Sequence, residues 1–277
     1  MSDQASFAIV EQNKIGGAQM DLGAHIQFQS LKGKVSDSEW ALREDMAACF
    51  RLVEHFGYNG TINNHISARV PDEPEHFLIN PGGYMFSELS ASSLVKIDSD
   101  GRILSPAPTG IVNPAGYVIH SAIMQARPDV HCAIHLHTIA GVAISAQAEG
   151  FKFYSQESMR FYGKVGYHDY EGISRDTSER EAIERDLQDN HVLFLRNHGT
   201  IVVGASIAEA FTYNVNLERS CQIQLAAQQS GVPLLHPSPE ICEATRQQTQ
   251  TGNQPSGLKA WRAYRRIADA LYPSYLN

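Results

Sequence analysis

No window of this 277-residue sequence approaches the roughly 18 to 20 uninterrupted apolar residues that a membrane-crossing helix needs. Met1 to Leu22 has neither the basic start nor the apolar run of a secretion signal, so the expected compartment is the cytoplasm and no membrane partner is expected. Cysteine is sparse. Cys49, Cys132, Cys221 and Cys242 form no CxxC pair, which excludes a cysteine-type zinc site and fits reduced, buried thiols. Runs of Lys or Arg are also missing, and the formal charge of -8 argues against nucleic acid as a partner. What the chain does have is histidine, 12 in all.

Residues 1–35 mix Gly, Gln, Ser and Asp with little periodicity and read as a loosely attached N-terminal arm. Ser36 and Glu39 have capping-box spacing, and Trp40, Leu42, Met46, Cys49, Phe50, Val53 and Phe56 recur at three-to-four spacing, which predicts an amphipathic helix ending near Gly57. Short strands are predicted over 65–70 and 76–80, followed by the breaker Pro81-Gly82-Gly83. Asn113 and Pro114 start a helix to about 126, with Tyr117, His120 and Met124 on one face. A strand follows over 130–137, then a hairpin of apolar runs 192–195 and 201–203 around Arg196-Asn-His-Gly-Thr200, then a helix over 206–229. The last part, 231–277, reads as a Pro-, Ser- and Gln-rich tail carrying a short basic helix, 258–271. Strands and helices intermix without a strict βαβ rhythm, which fits one α/β domain over 36–230 with a mixed or antiparallel sheet.

In Ala133-Ile-His-Leu-His137 an extended backbone places both imidazoles on one face, about 6.6 Å apart at Cα, while Ile134 and Leu136 enter the core. Two ring nitrogens can then converge on a single ion. His198, at a tight turn next to Gly199, is the best third ligand. Three neutral imidazoles leave coordination positions open, as a catalytic metal requires. His65, His120 and His168 read more naturally as hydrogen-bonded structural histidines, with His120 in reach of supporting a ligand.

Asn64-His-Ile-Ser67, Phe77-Leu-Ile-Asn-Pro-Gly-Gly83, Arg127-Pro-Asp129, His135-Leu-His-Thr138, Tyr167-His-Asp-Tyr170 and Arg196-Asn-His-Gly199 occur in one order, and that order resembles the class II aldolase/adducin family. The run Ser87 to Lys96 and the Tyr-His-Asp-Tyr segment look most like adducin heads and their bacterial relatives. The resemblance implies a three-layer α/β/α sandwich around a largely antiparallel sheet, a homotetramer with active sites between subunits, and a divalent metal, usually zinc, on His135, His137 and His198. Manganese and iron are the alternatives. Two departures narrow the chemistry. The family's aldolases carry a proton-shuttling glutamate where this chain has Gly116, and the hydroxyl-bearing phosphate cradle is replaced by Gly82-Gly83, Pro114-Ala115 and Asn64-His65.

The expected function is therefore a metal-dependent lyase acting on a small anionic substrate, a hydroxy- or keto-carboxylate, by decarboxylation or retro-aldol cleavage. Asn64, His65, the backbone amides of Gly82 and Gly83, and Arg160 are the expected substrate contacts. Tyr162, His168 or Tyr170 would supply the proton in place of the missing glutamate. The alternatives are a non-haem iron oxygenase on the same three histidines and a non-enzymatic, adducin-like assembly protein.

Overall fold

The structure is a computed structural model that describes residues 21–104, 106, 108–172, 179–250 and 256–277. Its centre is a seven-stranded sheet in the order β3-β2-β1-β4-β7-β6-β5, built from β1 (His65–Val70), β2 (Glu73–Ile79), β3 (Val95–Asp98), β4 (Cys132–Leu136), β5 (Val165–His168), β6 (Val192–Leu195) and β7 (Gly199–Gly204). All neighbours pair antiparallel except β5 and β6. That one parallel pair is joined through α5 (Glu179–Leu187), because parallel strands need a crossover and a hairpin cannot supply one.

Helices cover both faces, as a sheet with two apolar faces requires. On one side Ala133, Ile201, Val203, Phe77 and Ile79 pack with Ile119 and Ile123 of α2 (Pro114–Ala126) and with Ile183 and Leu187 of α5. On the other, Ile134 and Leu136 alternate with Ala133 and pack under α1 (Asp37–His55), α6 (Ile207–Gln229) and α8 (Leu258–Leu271). The three-layer α/β/α sandwich with a largely antiparallel sheet is thus the fold. No helix among the described residues is long and apolar enough to cross a membrane.

The start of α1 keeps only half of the expected capping box. Ser36 Oγ accepts from the Glu39 amide at 3.2 Å, but the Glu39 carboxylate turns inward to Arg43 (2.8 Å) and Lys96 (2.9 Å). Arg43 is fully buried, so a charged partner is worth more there than at a helix end.

The segments expected to be peripheral are packed. Within the predicted arm, Asp21 accepts from Ser274 Oγ (2.6 Å) and pairs with Arg51 (3.5 Å), and the buried Leu31 donates its amide to Ser92 Oγ. Residues 1–20 lie outside the described residues. The predicted tail contains a helix that the Pro, Ser and Gln content hid, α7 (Pro239–Gln250), and its α8 inserts Trp261 and Ala268 into the α1/α6 core. Composition missed this because burial of a few large side chains outweighs a polar average.

Candidate metal centre

The histidines meet at one end of the sheet, where β1 and β7 begin and β4 and β6 end. His135 lies in β4 opposite Ile201 of β7, and His137 follows two residues on, just past the strand end. His198 comes from the three-residue loop between β6 and β7, where Asn197 takes a left-handed conformation (φ 58°) and turns the chain back. Gly199 is what lets that loop close against β4. A Cβ there would stand 2.5 Å from the Leu136 carbonyl oxygen and 2.9 Å from the His137 ring.

One ring nitrogen from each of His135, His137 and His198 lies within 4.8 Å of the others, a spacing that fits a shared ion. The tautomer of His135 is set by its surroundings. Its Nδ1–H donates to the Thr200 carbonyl (3.0 Å), which leaves the Nε2 lone pair aimed at the cluster, 2.9 Å from His137 Nε2. Burial, then the neighbouring imidazoles, holds His135 well below the usual histidine range, and the same two causes bring His137 to about 4. Both rings are neutral at physiological pH, the form that binds metal. An all-imidazole donor set suits zinc or iron better than manganese, which prefers oxygen donors, so the residues present fit the expected zinc.

The backbone under this cluster is clamped by Asn64 and Thr138. Asn64 Oδ1 accepts from the His137 amide at 2.9 Å, and its Nδ2 donates to Asn59 Oδ1. Expected as a substrate contact, Asn64 spends its side chain holding the backbone of His137, a candidate ligand. Thr138 caps α3 (Ile139–Ser145) by accepting from the Gly141 amide (3.0 Å) and donates its hydroxyl to Glu218 Oε1 on α6 at 2.6 Å. Burial pushes Glu218 up to about 7. The reading of α6 as an ordinary amphipathic helix gave no reason to single out one glutamate on it.

Of the three expected proton donors, Tyr170 has a ring contact with the cluster. It is 54% exposed and meets His198 edge-on at 6.3 Å between centroids. His168 is buried at the end of β5 and bonded through Nδ1 to Asp186 (2.8 Å), the structural role weighed for it. Tyr162 packs on Phe153, and Arg160 stands over the ring of Tyr213 on α6. Gly82 departs from expectation for a plain reason. Its amide already donates to the Ile111 carbonyl (3.1 Å), so it has no hydrogen left for an anion, and Gly83 would have to act without it.

His65 is placed differently from all of these. It is 3% exposed, lies in β1 directly opposite His135, and its ring is stacked parallel to that of His135 at 6.1 Å and 13°. The space it fills is the one Gly116 leaves on α2, since a Cβ at 116 would come within 2.6 Å of the imidazole. Two departures from the family pattern are therefore one steric event.

Residues 44–225 match the family model for the class II aldolase and adducin N-terminal domain. A Caulobacter vibrioides protein named as a candidate aldolase class 2 protein is 44% identical over 249 residues, spanning 90% of this chain and 96% of its own length. Rat alpha-adducin is 43% identical over 225 residues, 79% of this chain but only 30% of the adducin. Among solved structures, an aldolase II superfamily protein from Pseudomonas syringae superposes with a TM-score of 0.84 at 43% identity, covering 90% of this chain and all of the other. The L-fuculose 1-phosphate aldolase of Glaciozyma antarctica does so at 0.77 and 28% identity, covering 92% of this chain and 98% of the other. On the matched domain, the shared fold and this level of identity, the chain belongs to the class II aldolase and adducin family.

Proposed function

We propose that this protein is a metal-dependent carbon–carbon lyase acting on a small hydroxy- or keto-carboxylate, with one divalent ion, zinc in the first instance, on His135, His137 and His198. The observation that carries the reading is the convergence of three imidazoles within 4.8 Å of one another, one of them fixed by the Thr200 carbonyl. When bound, the ion supplies Lewis acidity that stabilises an enolate. The chain's own residues do the rest. Asn64 and Thr200 hold two of the ligands in place, Gly199 lets the third approach, and Tyr170, beside His198, is the group positioned to deliver a proton to carbon.

The commitment of the Gly82 amide to Ile111 supports a carboxylate over a phosphate, because a phosphate cradle needs several unspent donors. Decarboxylation or retro-aldol cleavage both fit a site with Gly116 where a carboxylate base would stand, and decarboxylation fits better because it makes the enolate without prior proton removal. Exposed Ile62, Ile111, Ile139 and Tyr170 flank this end of the sheet in sequence, which supports an association of subunits there, the homotetramer being the expected form. The four free, buried cysteines suit a cytoplasmic location.

Metal analysis of the purified protein is the test. One zinc or manganese per subunit, lost in His135→Ala, together with release of carbon dioxide or an aldehyde from a hydroxy- or keto-carboxylate panel, is expected. A metal-free protein would overturn the reading in favour of a non-enzymatic, adducin-like role. Bound iron with oxygen uptake would move the chemistry to an oxygenase.

A further inference from the structure

Glu218 stands where a carboxyl group works against the fold. It lies 1% exposed on α6, and burial there disfavours its charged form. Its Oε2 has no hydrogen-bond partner among the described residues, and its Oε1 accepts from the Thr138 hydroxyl at 2.6 Å. A leucine would fill much the same space without that penalty. Residues that oppose stability in this way belong to sites whose geometry matters for something other than folding. What Glu218 contributes therefore has to be sought at Thr138. That hydroxyl accepts from the Gly141 amide (3.0 Å) and donates to Glu218, so its orientation is set from both sides.

Thr138 directly follows His137 and caps α3, so the bond from α6 ties down the bend by which the chain leaves β4 with a candidate ligand on it. Gly141 shows how closely the parts meet. A Cβ there would stand 2.7 Å from Thr138 Oγ1, 3.2 Å from Glu218 Oε1 and 3.0 Å from Thr200 Cγ2. Thr200 is also the residue whose carbonyl fixes the His135 ring. The carboxyl group thus sits beside both stretches of backbone that aim the paired histidines of β4. We propose that Glu218 is a positioning residue for the metal, which through Thr138 holds His137 in the geometry the ion requires and lowers the stability of the ion-free chain in doing so. This rests on the metal reading above, since it gives that ion a supporting residue that does not touch it.

The test uses the full-length protein with zinc and, as a spectroscopic probe, cobalt(II). Glu218→Leu removes the acceptor and keeps the bulk, whereas Glu218→Gln keeps an acceptor for the Thr138 hydroxyl. In Glu218→Leu, zinc affinity measured by chelator competition should fall at least tenfold and the visible bands of the cobalt(II) form should shift. The metal-free form of that variant should unfold in urea at pH 8 at the wild-type midpoint or above it. Glu218→Gln should keep zinc affinity within threefold of wild type and the wild-type cobalt bands. A lower midpoint or an unfolded chain in metal-free Glu218→Leu would overturn the proposal, because the carboxyl group would then serve the core. Zinc affinity within threefold of wild type in Glu218→Leu would overturn it too, as would a loss in Glu218→Gln as large as in Glu218→Leu, since the acceptor would not be what matters. A wild-type protein that binds neither ion would instead sink the metal reading, and this inference with it.

Discussion

Glu218 is a carboxyl group buried beneath a ligand-bearing loop, with Thr138 as its hydrogen-bond partner and its second oxygen unpaired. Its proton is held to about pH 7 in the folded chain and is released near 4.5 in the unfolded one. Between those values the folded state binds more protons, so this residue's stabilising contribution is complete below pH 4.5 and is lost as pH rises to 7. The slope is at most about 1.4 kcal/mol per pH unit. Glu218→Gln should lack that slope, so the difference in unfolding free energy between wild type and variant, followed from pH 5 to 8 in urea, changes with pH. A constant difference would mean that Glu218 is ionised throughout. Asn64→Ala should separate folding from metal holding. The lost hydrogen bond to the His137 amide costs about 1–2 kcal/mol of stability and weakens zinc retention against a chelator, and an unchanged chelation rate would show that the clamp is idle. The convergence of His135, His137 and His198 was legible from the sequence because HxH on a strand has a fixed geometry. The hydrogen bonds of Asn64, Gly82 and Glu218 were not, because they depend on which partner tertiary packing brings to each group, and spacing along the chain does not encode that.

At the scale of elements, the periodic segments gave themselves away and the short or polar ones did not. The helices at 37–55, 114–126 and 207–229 and the β6–β7 hairpin fall within a few residues of expectation, since long stretches with one apolar face have few alternatives. β3 and β5 were not identified as strands, since Val-Lys-Ile-Asp and Val-Gly-Tyr-His lack the unbroken apolar run that marked the equally short β6. The C-terminal helix was found but misjudged as an appendage. Its Trp261 is 4% exposed, packs edge-on to Phe211 of α6 and reaches Asp45 of α1, where Arg265 also pairs. Trp261→Ala should therefore cost about 3–5 kcal/mol, the range for truncating a large aromatic in a core. Chemical denaturation would reveal it as a lowered midpoint at unchanged slope. A shift under 1 kcal/mol would return α8 to the status of a tail.

Across the whole molecule, titration of the buried histidines should decide acid stability. His65 and His137 are held at about 4 and His120 at about 3, chiefly by burial, and His135 lies well below the usual range. As pH falls below 6.5 the unfolded chain takes up protons that the folded chain refuses, so the stability these groups contribute is present above 6.5 and is lost on the way down to 4. Glu218, and to the acid side Asp45, slope the other way, but two carboxyl groups cannot offset four histidines. The metal-free protein should lose melting temperature steadily from pH 7 to 5, and a flat profile would show that the rings are accessible to protons in the folded state. The sandwich also fixes when an ion can enter. Two ligands sit at the end of β4 and the third in the hairpin before β7, so the donor set exists only after these distant stretches of chain have paired at the centre of the sheet. On the proposed reading, uptake of the ion is a finishing step in the life of the polypeptide. Chains refolded in a chelator and given zinc afterwards should then reach the same occupancy as chains refolded with zinc present, and unequal occupancy would show that the ion takes part in folding.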